Sequence, residues 1–178
     1  METRAAVFID GGYLARVLRD NFKEARIDFG KLSDELCKMV GCPRHRTYYY
    51  TCEPFVRDGN ESDIHKQAQF QKFVSRLKRL SRFEVKLGRL QMINGTFKQK
   101  MVDVLMSLDI STMSYENQVE HIVILAGDSD FIPAIRNAKS YGTIIHLAYH
   151  QSLVHNDILD QVDERYEITV ELIERIKD

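Results

Sequence analysis

Three aspartates stand where a strand-forming run gives way to a turn. Asp10 follows the apolar run Ala5-Ala-Val-Phe-Ile9 and precedes Gly11-Gly12. Asp128 and Asp130 follow His121-Ile-Val-Ile-Leu-Ala126 within Gly127-Asp-Ser-Asp. In an open α/β sheet, ligands bind beyond the carboxyl ends of the strands, where strand order reverses. If these two strands are neighbours at that point, the three carboxylates share one crevice. Like charges raise one another's pKa. A hard divalent cation relieves that repulsion, and Mg²⁺ characteristically takes a few carboxylates, waters and substrate phosphates. Each acid also has a plainer use: Asp128 or Ser129 can cap a helix starting near Phe131, and Asp10 can shape the turn before its two glycines. For either site alone the plainer use is at least as good; two acid tips on one sheet favour the shared crevice.

The elements that would position these acids are legible in outline. The runs 5–9 and 121–126 are short, continuous and apolar, as expected of buried parallel strands. Thr47 to Cys52 is aromatic and β-branched, hence a strand, and Thr143 to Ala148 and Tyr166 to Val170 are two more. Helical spacing of apolar residues predicts helices over 13–21, 29–40, 64–80, 101–113 and 131–141, with shorter ones over 152–159 and 171–177. Gly41 closes the second of these helices, and Pro133 is tolerated in the first turn of the helix from Phe131. Glu53 to Asp63 reads as a loop. Phe83 to Leu90 alternates, and Asn94-Gly95 turns it into a partner strand ending near Phe97. Strands alternating with helices predict an α/β fold: a Rossmann-like, mostly parallel sheet with helices on both faces, plus a β-hairpin insertion.

Composition narrows the function. The 178 residues suit a single domain over 1–178. With 44% hydrophobic and 29% charged residues, disorder is excluded. No run reaches the ~18 apolar residues of a membrane span, and Met1 to Ile9 is too short and wrongly flanked for a signal peptide. Cys37, Cys42 and Cys52 match no zinc spacing and read as the reduced thiols of a cytoplasmic protein. A formal charge of −1 rules out a nucleic-acid coat over the whole surface. It conceals polarity, however. Lys72 to Arg89 holds seven cations (Lys72, Arg76, Lys78, Arg79, Arg82, Lys86, Arg89) against Glu84, and Asp157 to Glu174 holds seven acids against Arg165. The basic run is either a solvated face or a surface that tracks phosphates into the acidic site. Arg44, His45, Arg46 and Tyr48 to Tyr50 extend it weakly. The six histidines form no nucleophile pattern, with His146 and His150 better suited to core or surface roles, and the chain lacks a G-x-G-x-x-G phosphate loop.

Three blocks together resemble the signature blocks of NYN domains, closest to the LabA-like branch of the PIN-like nuclease superfamily. They are Phe8-Ile-Asp10-Gly-Gly-Tyr-Leu14, Lys100-Met-Val-Asp103-Val-Leu-Met-Ser-Leu-Asp109 and Gly127-Asp-Ser-Asp-Phe-Ile-Pro133. The resemblance runs from about residue 4 to 165. It implies a Rossmann-like sheet with a Mg²⁺- or Mn²⁺-dependent ribonuclease centre, in which Asp10, Asp103, Asp128 and Asp130 hold the metal and are catalytic. Two departures stand out: Gly12 and Tyr13 replace a frequent Asn, and Met101 replaces the usual Gly. Asp103 at the start of a helix also suits the positive end of the dipole. Asp109 lies about 600° further round the helix axis, so it cannot point with Asp103, and it is assigned with Ser129 and Lys100 to a supporting role. Lys100 is equally well a solvated lysine or a phosphate contact.

The resulting expectation is a metal-dependent endoribonuclease. Arg76, Lys78, Arg79, Arg82, Lys86 and Arg89 are its candidate nucleic-acid contacts and RNA, single-stranded or structured, its expected partner. DNA and homo-oligomer formation stay open, and no membrane partner is expected. The rival is a catalytically dormant module of the same fold that binds nucleic acid or protein. A Toprim-like or phosphatase site on Asp128-x-Asp130 is weaker, because the first strand lacks the Glu or Asp-x-Asp those sites want.

Overall fold

The computed structural model describes the backbone of residues 3–93 and 96–178 and the side chains of residues 3–88 and 101–178. Seven strands form one sheet: β1 (Ala5–Asp10), β2 (Arg44–Cys52), β3 (Phe83–Ile93), β4 (Thr96–Lys100), β5 (His121–Leu125), β6 (Ile144–Tyr149) and β7 (Glu164–Glu167). Their order is β4-β3-β2-β1-β5-β6-β7. All neighbours pair in parallel except β3 and β4, whose antiparallel pairing makes the expected hairpin at the sheet edge. The Asn94-Gly95 turn itself lies outside the described residues. From β1 the chain winds outward to β4 on one side, then returns to lay β5 on the other side of β1. Strand order therefore reverses between β1 and β5, where ligands of such sheets bind.

Alternation along the buried strands divides the core in two. Ala6, Phe8, Tyr48, Tyr50, Ile122 and Ile124 face α4 (Val102–Tyr115) and α5 (Ile132–Ser140). Val7, Ile9, Val123 and Leu125 face α1 (Gly11–Asn21), α2 (Phe29–Val40) and α7 (Val170–Ile176). Phe8 and Ile9 are fully buried, one in each half, and each such side chain contributes about 1.5–3 kcal/mol. Among the described residues no helix is long and apolar enough to cross a membrane.

Three stretches differ most from expectation. The strand anticipated over Tyr166 to Val170 is β7 (Glu164–Glu167), ended early because Thr169 caps α7 by accepting the Leu172 N–H and Val170 already opens that helix. The helix anticipated over 64–80 is α3 (Glu61–Leu77), begun earlier because Asn60 caps it by accepting the Asp63 N–H at 3.0 Å. The helix anticipated over 152–159 breaks into a 3₁₀ turn, Gln151–Leu153, and the short α6 (Asn156–Leu159). The break has a cause: Val154 and His155 are extended, so that the His155 N–H can donate to Gly127 O at 2.9 Å.

Candidate metal centre at the sheet switch point

Asp10 ends β1 and caps α1, accepting the Tyr13 N–H on Oδ1 at 3.0 Å. Asp128 follows β5 and caps the 3₁₀ turn Ser129–Phe131, accepting the Asp130 N–H at 3.1 Å. The capping use and the acid-tip use therefore coincide at both positions. Asp103 joins them from the first turn of α4. It is an exposed residue whose carboxyl lies at the mouth of a groove, and loss of solvent there, then the charges of Asp128 and Asp130, raise its pKa. Burial raises the Asp10 pKa most; the N–H groups of Tyr13 and Gly12 oppose it, and the Asp103 charge adds to it. Asp103 thus lies within electrostatic reach of Asp10 on one side and of Asp128 and Asp130 on the other. No group of three or more His, Cys, Asp or Glu among the described residues is drawn close enough to hold an ion as it stands.

A glycine beside each acid tip admits the close approach of a neighbouring segment. A Cβ on Gly11 would sit 2.6 Å from the Tyr49 ring and 2.7 Å from Tyr50 O, and one on Gly127 would sit 2.3 Å from Leu153 O and 2.4 Å from Tyr13 Cε2. Tyr13 ties the two tips together. Its N–H holds Asp10, its ring covers Gly127, and its hydroxyl accepts the His150 N–H at 3.0 Å. It occupies a position where the sequence departs from the family pattern, and nothing in its spacing signals this role. Arg16 is a second residue the sequence reading missed: its positive charge reaches both Asp10 and Tyr13 from α1.

Met101 stands immediately before α4 with φ 78°, in the left-handed region, without a side-chain cap. That explains why a Gly would be natural here: the departure matters through backbone conformation. A bulky residue in this conformation is a true outlier, and such strain gathers at functional sites. Met101, Asp103 and Asp130 line one end of a groove of about 670 Å³ between α4 and α5; Val104, Leu108 and Pro133 continue it.

The remaining predicted residues are placed elsewhere. Asp109 points away from the acids and accepts the Tyr50 hydroxyl at 2.6 Å and the Lys86 ammonium at 2.9 Å. Lys86 is also 3.6 Å from Glu84 and lies over the Tyr48 ring. Burial alone would lower its pKa, but the Asp109 hydrogen bond and the charges of Asp109 and Glu84 win and raise it. Ser129 sits in the turn between Asp128 and Asp130. The side chains of Lys100 and Arg89 lie outside the described residues. Arg76, Lys78, Arg79 and Arg82 cluster where α3 ends and β3 begins, since Arg82 O accepts the Thr47 N–H and Phe83 pairs with Thr47. Because β3 is parallel to β1, this is the amino edge of the sheet. The acid tips are on the carboxyl edge, so the structure does not bring the two together.

The NYN domain family profile matches residues 4–169. Among solved structures, a protein of unknown function from Vibrio parahaemolyticus is similar, with a TM-score of 0.70 and 17% identity over 96% of this chain and 95% of that chain. At that identity the likeness is one of fold. No curated protein matches the chain.

Proposed function

Since the chain belongs to the NYN domain family, within the PIN-like nuclease superfamily, we propose that it is a metal-dependent endoribonuclease, closest to the LabA-like branch. The observation that carries this reading is the grouping of Asp10, Asp103, Asp128 and Asp130 at the reversal of strand order, where burial and the Asp103 charge raise the Asp10 pKa, and loss of solvent with the charges of Asp128 and Asp130 raises that of Asp103.

The donor set suits a hard ion. Four carboxylates without thiolate or imidazole favour Mg²⁺ or Mn²⁺, and Mg²⁺ keeps several waters, so it needs no closed protein cage. Asp10, Asp103 and Asp128 would hold it, with Asp130 ligating directly or through water. When bound, such an ion lowers the pKa of a water and stabilises charge developing on the phosphate. The chain's own groups do the rest. The caps on Tyr13 N and Asp130 N fix the orientation of the Asp10 and Asp128 carboxylates, and Ser129 would hydrogen-bond a water or phosphate oxygen. Arg16 supplies the positive charge on the α1 side. The cations at 76–82 would engage only a long substrate that reaches round to the amino edge.

Incubating the protein with single-stranded and structured RNA and with DNA, in Mn²⁺, Mg²⁺ or EDTA, tests the proposal. Metal-dependent RNA cleavage lost in both Asp103→Asn and Asp128→Asn, with unchanged circular dichroism, is the expected result. Cleavage that persists in both variants, or in EDTA, overturns the site. RNA binding without turnover in any metal identifies the dormant module instead.

A further inference from the structure

Past its first turn, α3 carries cations without acids. From Ile64 to Phe83 the chain holds six Lys and Arg, with His65, and no Asp or Glu. A solvated helix gains from opposite charges at i, i+4, and like charges at that spacing, as at Lys72 and Arg76, weaken it. His65, Gln69, Lys72, Arg76 and Arg79 follow one another at steps of four, three, four and three, which is the spacing of one helical face. All five are exposed, and each carries a hydrogen-bond donor. Among the described residues no carboxylate pairs with Lys72, Arg76 or Arg79; Asp28 and Asp178 share a cleft with Arg76 without bridging to it. Lys72, Ser75, Arg76 and Arg79 line an open groove of about 510 Å³ along the helix. The helix dipole favours Arg76 in the last turn, but it fades within that turn and does not account for Lys72. At the foot of the seam Arg82 donates to Arg44 O at 2.7 Å and Arg44 to Ser81 O at 3.0 Å, which holds two more guanidinium groups beside it.

We propose that this seam of α3 is a phosphate track, which carries the backbone of a nucleic-acid strand between the amino edge of the sheet and the carboxyl edge where the acid tips stand. The inference rests on the nuclease reading for the class of strand, and it supplies the path between two features on opposite edges. Topology fixes the course of the track. Helix α3 joins the parallel strands β2 and β3, so it crosses from the carboxyl edge, where β2 ends, to the amino edge, where β3 starts. From His65 to Arg79 the helical rise covers about 20 Å, and the six residues of β1, Ala5–Asp10, span about the same length. The seam therefore runs the height of the sheet. Its chemistry selects the occupant. A basic helix that lies on a membrane needs apolar side chains along its contact face, and a protein interface needs an apolar core; the five seam positions supply neither. Phosphates need only cations and donors, and the guanidinium forks of Arg76 and Arg79 match phosphate oxygens. No aromatic stands at a seam position to stack a base, so the track grips backbone and reads no sequence. The seven acids of Asp157 to Glu174 gather around β7, at the other end of the strand order, and that polarity steers a polyanion to the α3 side.

Fluorescence anisotropy of labelled RNA with the full chain in EDTA, over a series of salt concentrations, tests the proposal without turnover. The variant is Lys72→Ala, Arg76→Ala and Arg79→Ala combined; these side chains are exposed, and alanine favours the helix, so its circular dichroism should match the wild type. The control removes three cations from the acidic side, Arg136→Ala, Lys139→Ala and Arg165→Ala, for the same change in net charge. A 30-nucleotide RNA should bind the α3 variant at least tenfold more weakly, with the log–log salt slope reduced by about 2 for three lost phosphate contacts. The control should lose less than twofold, and a four-nucleotide RNA, too short to follow the seam, should not distinguish the proteins. An unchanged affinity and slope for the long RNA, or an equal loss in the control, overturns the track. So does a variant that binds RNA normally but no longer binds phosphatidylserine vesicles, which would make the face a lipid contact. The nuclease reading is judged separately: a wild type that binds as expected yet cleaves nothing in Mg²⁺ or Mn²⁺ removes that reading and leaves the track, whereas cleavage by a variant with wild-type binding removes the track and leaves the nuclease.

Discussion

Tyr13 lies so close to Gly127 that a Cβ on the glycine would meet its Cε2 at 2.4 Å. One ring therefore joins the turn after β1 to the turn after β5, beside the β1–β5 pairing that puts Asp10 and Asp128 at neighbouring strand ends. Gly127→Ala should force either the ring or the Leu153 carbonyl to move. Overpacking of this kind costs about 1–3 kcal/mol, or a Tm lower by several degrees at ~2–4 °C per kcal/mol for a chain of this length. Differential scanning calorimetry checks it. Tyr13→Phe keeps the ring but leaves the His150 N–H without its acceptor, so a smaller loss is expected.

Asp10→Asn should stabilise the metal-free protein. Asn caps a helix as well as Asp does, so the bond to Tyr13 N survives while the buried charge disappears. The sign follows from the raised pKa of Asp10 and Asp103. The folded state binds these protons more tightly than the unfolded chain, so stability is full below the ordinary carboxylate value near 3.8 and declines as pH rises through the folded values. At neutral pH the repulsion is fully present, and the variant escapes it. Mn²⁺ should invert the order, because a ligand of the folded state adds about 2.7 kcal/mol at a hundredfold excess over Kd. Melting of both proteins in EDTA and in millimolar Mn²⁺ decides the matter; equal shifts by Mn²⁺ would remove Asp10 from the metal site.

Met101→Gly and Met101→Ala should behave differently. Both delete the same exposed side chain, but only glycine accepts φ 78° without conflict between Cβ and the carbonyl. That relief is roughly 1–2 kcal/mol, offset by about 0.5–1 kcal/mol of extra backbone entropy in the unfolded chain. Urea unfolding should place the glycine variant above the alanine variant by up to about 1 kcal/mol.

His146 should make stability fall on mild acidification. It is buried on β6, with Nε2 2.9 Å from His121 Nδ1 and Nδ1 3.3 Å from the Tyr166 hydroxyl. Burial first, then the neighbouring His121 charge, lowers its pKa against weaker opposition from Glu164 and Asp163. The unfolded chain takes up its proton near pH 6.5 and the folded chain resists. This contribution is therefore complete above 6.5 and is lost as pH drops toward the folded value. Urea midpoints from pH 7.5 to 5 should drop less steeply in His146→Gln than in the wild type.

Much of this arrangement is legible in the chain because it rests on local patterns. An uninterrupted run such as Ile122 to Ala126 reads directly as a doubly buried strand, and an acid at the end of each of two such strands suffices to nominate the crevice. Other features depend on direction or on contacts distant in sequence. The basic run at 76–82 looks continuous with Lys86, yet parallel pairing of β3 puts its first part on the edge of the sheet opposite the acids. Gly127 looks like a turn glycine until the Tyr13 ring and Leu153 O are seen against it. The helix anticipated over 152–159 has suitable residues, but the bond from His155 to Gly127 outweighs their local preference.

The placement of β1 also bears on how the chain is made. Its outer edge pairs with β5, so Ala5 waits for His121 and Ile9 for Leu125. A nascent chain emerging from the ribosome can add β2 and β3 to one side of β1 early, while the other side stays an open, wholly apolar template. Contacts so distant in sequence are slow to close, and unpaired apolar edges are where partly folded chains aggregate. Synthesis truncated before residue 121 should therefore yield a chaperone-bound or insoluble product, with solubility returning once β5 and β6 have been translated.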